Sequence, residues 1–555
     1  MLASTVAGAS SLLGAASQRS DRMKSMDDVP GAYADIWRIP GRFTKNPDLV
    51  RLPSGKLMLV FCDDDRHWSE EISRITTLES TDGGKTWGSP HVVAQADRRI
   101  GEERWVTPRL SLLRDGRLII MCDHDDYAHA HEDQPSGIWQ WESHDQGQTW
   151  SAARLTGIPG IEPDRIVELN DGTLLVGSHM TVRDVRKRAQ FVVRSTDGGK
   201  TWKNLTFIAK DPVHLNVEGG IMLYRSGDLA CVMRDNLHSG YPSRVSFSTD
   251  KGLTWSRPQS LPFAGDRPYV KELKDGRVLV TYRNMSGNRG THAWIGDLHE
   301  AAGKYSVGGV HYRDAVKFER ETLHIQGIEG ANTRYMLMPP ESFRSDIDFE
   351  VRLRVRGEPD AAAGLFEVGR HGLRIEVCSD RIWMNRGAAN PGNPASEQGT
   401  DRFFKIDMTS PHTIRLQVLG GQVIVSADGK PKLYWIIQSE QPVLNTGFGR
   451  VSENSGDVWF EHVRYEAKND TEPHFKWDWK ASSGNYPDQY QIDRTLELMG
   501  NPPVPYRLPD NGYSSFIERE DGSIYMVDYT TRGDAPPASH LYRVIFSPKD
   551  FPRGA

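Results

Sequence analysis

Apolar runs occur in pairs along this chain, each pair divided by a short polar turn carrying Asp-Gly or Ser-Gly. They read NPDLVRLPSGKLMLVFCDDD from Asn46, TPRLSLLRDGRLIIMCDHDD from Thr107 and EPDRIVELNDGTLLVGSHMT from Glu162. VEGGIMLYRSGDLACVMRDN follows from Val217, DRPYVKELKDGRVLVTYRNM from Asp266 and GYSSFIEREDGSIYMVDYTT from Gly512. Two apolar runs joined across such a turn predict a β-hairpin, because the turn needs a positive φ that glycine adopts at little cost. The turn glycines Gly55, Gly116, Gly172, Gly227 and Gly276 are 61, 56, 55 and 49 residues apart. That period marks repeat architectures, and six hairpins predict six blades of a β-propeller.

A second signature, Ser-x-Asp-x-Gly-x-Thr-Trp, recurs at STDGGKTW (80 to 87), SHDQGQTW (143 to 150), STDGGKTW (195 to 202) and STDKGLTW (248 to 255). The Ser and Asp side chains can satisfy turn amides, the Gly takes a backbone angle closed to other residues, and the Trp can pack between sheets. The motif is therefore expected to follow the third strand of a blade and to be structural.

The sixth turn glycine, Gly522, lies 246 residues after Gly276. A blade of roughly 50 residues leaves about 190 residues extra. From about Val310 to Ala467 the texture changes to strict alternation, as in DIDFEVRLRV, LRIEVC and HTIRLQVLGGQVIVSADGK. Period-two alternation predicts an antiparallel sandwich, here a jelly roll inserted in the fifth blade. The chain is expected to complete that blade at DRTLELM, and HLYRVIFSP to pair with an N-terminal strand near ADIWRI, closing the ring. The expected class is thus all-β, a six-bladed β-propeller with an inserted antiparallel β-sandwich. The expected division is a tail at 1–30, propeller at 31–305, sandwich at 306–470 and propeller again at 471–555.

Composition adds exclusions. The 555 residues carry 68 Lys and Arg against 74 Asp and Glu, a net charge of -6 with no long run of one sign. That balance argues against nucleic acid or a membrane surface as partner, and no segment reaches the ~20 apolar residues of a membrane span. Cys62, Cys122, Cys231 and Cys378 form no short-spaced metal or redox motif and mostly sit in apolar runs, so buried free thiols are expected. MLASTVAGASSLLGAAS at the start resembles the core and cleavage region of an export signal without its basic leader, which predicts an exported protein. CDHDDYAHAHEDQP gathers His124, His129 and His131 with several carboxylates, but its spacing matches no metal motif. No cofactor and no metal are assigned.

Four such motifs on a six-bladed repeat resemble the sialidase (neuraminidase) superfamily, where the box is known as the bacterial neuraminidase repeat or Asp-box. The likeness covers roughly 35 to 300 and 470 to 550, and the inserted segment resembles concanavalin-like or laminin-G-like domains. It implies a carbohydrate substrate and a Tyr nucleophile activated by a neighbouring Glu, since a phenol with a pKa of ~10 is a poor nucleophile at neutral pH. GYSSFIEREDG resembles the last-blade motif and puts Tyr513 in that position. NVEGGIMLYRSGDLACVMRDN resembles the segment carrying the Glu and, sixteen residues on, a substrate-binding Arg, hence Glu218 and Arg234.

The resemblance further implies an Arg triad for the substrate carboxylate. NRGTHAWIGDL makes Arg289 the leading candidate for another member, with Arg283 as understudy, while KNP places Lys45 where an Arg-Ile-Pro motif would supply the first Arg. The true RIP, Arg38 to Pro40, lies seventeen residues before Gly55, too early for that strand. The family's acid/base Asp has no clean counterpart among Asp63, Asp64, Asp65, Glu70 and Glu71 in CDDDRHWSEE, where Glu70 fits the spacing best and Asp64 is the alternative. Hairpin ends converging on the funnel add Glu162, Asp164, His124 and His179 as substrate-binding candidates.

The activity these residues imply is an exo-acting glycoside hydrolase cleaving a terminal acidic sugar, sialic acid or similar. Two alternatives stand beside it: a polysaccharide lyase or uronic-acid-directed glycosidase using His124 or His179 with Tyr513, and a non-catalytic carbohydrate-binding protein.

Overall fold

The computed structural model describes residues 23–552 except 125–136, 238–240, 285–288, 311–314, 329–332, 340–342, 387–401, 438–445, 452–455, 470–473 and 501–509. The signal-like start and His129 and His131 lie outside the described residues. Among the described residues no helix is long and apolar enough to cross a membrane.

Six sheets make the propeller, antiparallel except for a short parallel edge strand on one of them. The first four are continuous in sequence, spanning Phe43–Asp97, Trp105–Leu155, Val167–Ala209 and Asn216–Ser260. In blade 5, Gly265–Glu272, Val278–Asn284 and Gly290–Gly296 are completed after the insertion by Thr495–Gly500. Blade 6 holds Asn511–Glu518, Ile524–Thr530 and His540–Phe546, with Tyr33–Trp37 as its outer strand. Tyr33 pairs with Val544 and Ala34 with Arg543, so the two ends of the chain close the ring as the apolar pattern predicts. Lys24–Ser25 pairs with Leu496–Glu497 and so belongs to the edge of blade 5, not to a tail.

The hairpin glycines Gly55, Gly116, Gly172, Gly227, Gly276 and Gly522 all have positive φ. Each Ser-x-Asp-x-Gly-x-Thr-Trp turn follows a third strand. At the first, Gly84 N donates to Ser80 Oγ (2.9 Å) and Thr86 Oγ1 to Asp82 Oδ2 (2.6 Å). Its Trp87 packs into the apolar seam of blades 6 and 1 with Leu59, Phe61 and Tyr525. Trp150, Trp202 and Trp255 enter the next three seams in the same way. The motif thus ties blade to blade through packing, which accounts for its recurrence.

Between blade-5 strands, two further sheets of seven and eight strands share one core that includes Phe349, Phe366, Phe448, Phe460 and Tyr465. Phe475–Lys480 pairs with Asp457–Lys468, so this sandwich runs past the boundary expected at residue 470. All four cysteines are buried and free.

Candidate active site

In five of the six blades the innermost strand breaks register with the second strand where it opens: between Lys45 and Asp48, Val106 and Arg109, Val217 and Gly220, Asp266 and Tyr269, and Gly512 and Ser515. One residue at each opening has a positive φ, and blade 3 repeats the feature: Asn46 (54°), Thr107 (50°), Glu162 (52°), Glu218 (52°), Arg267 (46°) and Tyr513 (67°). A bulge re-aims one side chain out of the pleat. Here it turns one residue per blade inward, and those of blades 3 to 6 meet.

Glu218 is the centre of that meeting. Its Oε1 accepts from Tyr513 Oη (3.2 Å) and Arg234 Nη1 (2.9 Å), and its Oε2 accepts from the Arg267 amide (3.0 Å). Burial opposes its charge, but Arg234 and Arg267 outweigh that and hold the carboxyl below its ordinary range. Burial, followed by the charges of Glu218 and Glu162, pushes the Tyr513 phenol well above 10. Resting Tyr513 is therefore a protonated donor facing an ionised acceptor.

Cations ring the pair. Arg234 Nε also binds Asp266 Oδ1 (2.8 Å). Arg283 stands 5.0 Å and Arg267 5.8 Å from the centre of the Tyr513 ring. Arg283 Nη2 donates to Asp510 Oδ1 (3.1 Å) and Tyr529 Oη (3.0 Å). Glu162 lies 3.8 Å from Arg267, and burial, then the charge of Glu218, raises its pKa. The Glu218 amide donates to His179 Nδ1 (3.3 Å), while burial and then Arg188 lower that imidazole to about 3, leaving it neutral.

Several expected residues do other work. Arg289 is exposed at the head of Gly290–Gly296, whereas Arg283 ends the second strand opposite Asp266 and faces blade 6. Of the two candidates, Arg283 is the one that stands beside Tyr513. Lys45 is buried against Asp64 Oδ2 (3.1 Å), and Asp64 has no exposed side-chain surface. Glu70 is 68% exposed and turns to Arg66 (2.9 Å). Asp164 accepts from the Ile221 amide (2.7 Å) across the seam of blades 3 and 4. His124 packs its ring 3.7 Å from that of Trp105, and burial lowers it to about 4. Among the described residues no three His, Cys, Asp or Glu are grouped to hold a metal ion.

Asp266, Asp510, Tyr529 and His67 join the site without having been singled out from sequence. Asp266 shares the strand-opening position of Lys45, so the repeat register carried its signal. Asp510 stands just ahead of a strand, where the hairpin pattern is silent.

A family model described as a BNR repeat-like domain matches residues 127–325. The sialidase of Micromonospora viridifaciens is 29% identical over 170 residues. The chain is thus similar, over part of its length, to BNR repeat-like domains and to a sialidase, on a six-bladed propeller. The match covers 28% of this chain and 25% of that sialidase. Among solved structures, a protein of unknown function from Dyadobacter fermentans is 18% identical, covering 55% of this chain and 93% of its own, with a TM-score of 0.41. A Hadza microbial sialidase is 21% identical, covering 46% of this propeller chain and 56% of its own, with a TM-score of 0.37.

Proposed function

We propose that this propeller is an exo-acting glycoside hydrolase that removes a terminal acidic sugar, sialic acid or a similar one, with retention of configuration. The observation that carries the reading is the Tyr513 phenol donating to Glu218 at 3.2 Å, flanked by Arg234 and Arg283. The repeat match and the distant sialidase relative support a glycosidase of this superfamily.

In this reading Glu218 takes the phenol proton as Tyr513 oxygen bonds to the anomeric carbon, and water later releases the sugar. Planar guanidiniums suit a substrate carboxylate through parallel N–H donors. That carboxylate also strengthens the base: it shares Arg234, and the cation that holds Glu218 ionised at rest then holds it less firmly. Lys45 is committed to Asp64, so recognition falls to Arg234 and Arg283.

Release of umbelliferone from its α-sialoside, with the glucuronide and a neutral glycoside as controls, tests this. Wild type should turn over the sialoside, Tyr513→Phe should fall to background, and Glu218→Gln should lose about 10²- to 10⁴-fold. Folded wild-type protein that leaves the sialoside and the glucuronide untouched would end the reading.

A further inference from the structure

The loop after the first hairpin has its carboxylates already engaged. Asp63 pairs with Arg42 (2.9 Å) and Asp64 with Lys45 (3.1 Å). Asp65 closes the loop on itself, accepting from Ser69 Oγ (2.5 Å) and the Glu71 amide (3.1 Å). Glu70 turns outward to Arg66, and Glu71 is exposed. His67 is different. Its Nδ1 lies 2.5 Å from Asp510 Oδ2, and the other oxygen of Asp510 accepts from Arg283, the guanidinium over Tyr513.

His67 is also held firmly. Its carbonyl accepts from Lys45, and its ring meets Phe43 edge-on at 5.4 Å. Phe43 in turn packs on Tyr529, whose phenol donates to Asp510 (2.8 Å). The imidazole is 40% exposed, and among the described residues nothing bonds its Nε2. A carboxylate at ion-pair distance from Nδ1 favours the proton on that nitrogen and leaves Nε2 as the exchangeable position, as an oriented acid/base requires.

We infer that His67, oriented by Asp510, is the proton donor and acceptor for the leaving group, a role resting on the glycosidase reading above. In the first step Tyr513 oxygen bonds to the anomeric carbon, the bond to the aglycone oxygen breaks, and that oxygen takes the proton from Nε2 while Glu218 takes the phenol proton. In the second, water attacks the anomeric carbon and gives a proton to Nε2. The bond to Tyr513 breaks and Glu218 returns its proton to the phenolate, so both groups end as they began.

The test compares two glycosides of one sugar: the umbelliferyl α-sialoside, whose aglycone leaves without a proton, and sialyllactose, whose alcohol needs one. His67→Ala should lower kcat/KM for sialyllactose by about 10²- to 10⁴-fold and for the umbelliferyl sialoside by far less. Its kcat on the umbelliferyl substrate should fall and be restored by azide, with glycosyl azide as product. His67→Gln keeps the bulk and an N–H toward Asp510, and should show the same split if the alanine variant fails to fold. Equal loss on both substrates in a folded variant, without azide product, overturns the role. Folded wild type inert toward both of these and toward the umbelliferyl glucuronide would instead overturn the glycosidase reading and this role with it.

Discussion

At the opening of each blade a single side chain is turned inward by a positive φ that non-glycine residues rarely adopt. Such strain costs of order 1–3 kcal/mol per residue and persists where the surroundings over-determine it. Four of the six residues, Asn46, Thr107, Glu162 and Arg267, precede a proline, which fixes the next φ and donates no amide to the ladder. At this scale the two arginines are sharply distinguished. Arg283→Ala removes a charge-assisted partner beside Tyr513, worth about 1.5–3 kcal/mol, so kcat/KM for the sialoside should drop about 10- to 100-fold. Arg289→Ala, at an exposed position, should leave the same steady-state kinetics within twofold or so. Equal losses in the two variants would contradict the placement of Arg283. Local sequence patterns cannot separate them, because direction at the end of a strand is set by register with a neighbouring strand. Lys45 and Asp64 show the same limit: each reads as a funnel charge, and only strand pairing joins them in a buried ion pair.

Among elements, the hairpins and third-strand turns were legible because their chemistry is local: glycine at a positive φ, and Ser and Asp bonding amides a few residues away. The turns also carry a pH signature. Side-chain and amide bonds from Thr149 bring Asp145 to about 2, those from Thr254 bring Asp250 to about 2, and Asp82 and Asp197 are lowered in the same way. A carboxyl lowered in the folded state contributes stability above its ordinary value of 3.8, and loses it as pH falls toward 2. The thermal unfolding midpoint should therefore fall between pH 4 and pH 2, and Asp250→Asn should flatten part of that slope. An unchanged slope in the variant would count against the turn bonds as its source.

On the scale of the whole molecule, Tyr33–Trp37 on blade 6 and Lys24–Ser25 on blade 5 tie the N-terminal segment across the ring opening. The sandwich interrupts blade 5 between Gly290–Gly296 and Thr495–Gly500, yet those strands still pair directly. The interruption falls within the blade that supplies Arg267 and Arg283, while Tyr513 comes from the strand that opens blade 6. Closure of this ring is what brings Glu218 of blade 4 to Tyr513, residues 295 positions apart. A single covalent trap tests that convergence and the chemistry assigned to it. Reaction with a 3-fluorosialyl fluoride, followed by proteolysis and mass spectrometry, should find one sugar on Tyr513, and none in Tyr513→Phe. A sugar carried instead by Glu218, or turnover of the sialoside with no adduct on the chain, would contradict the account.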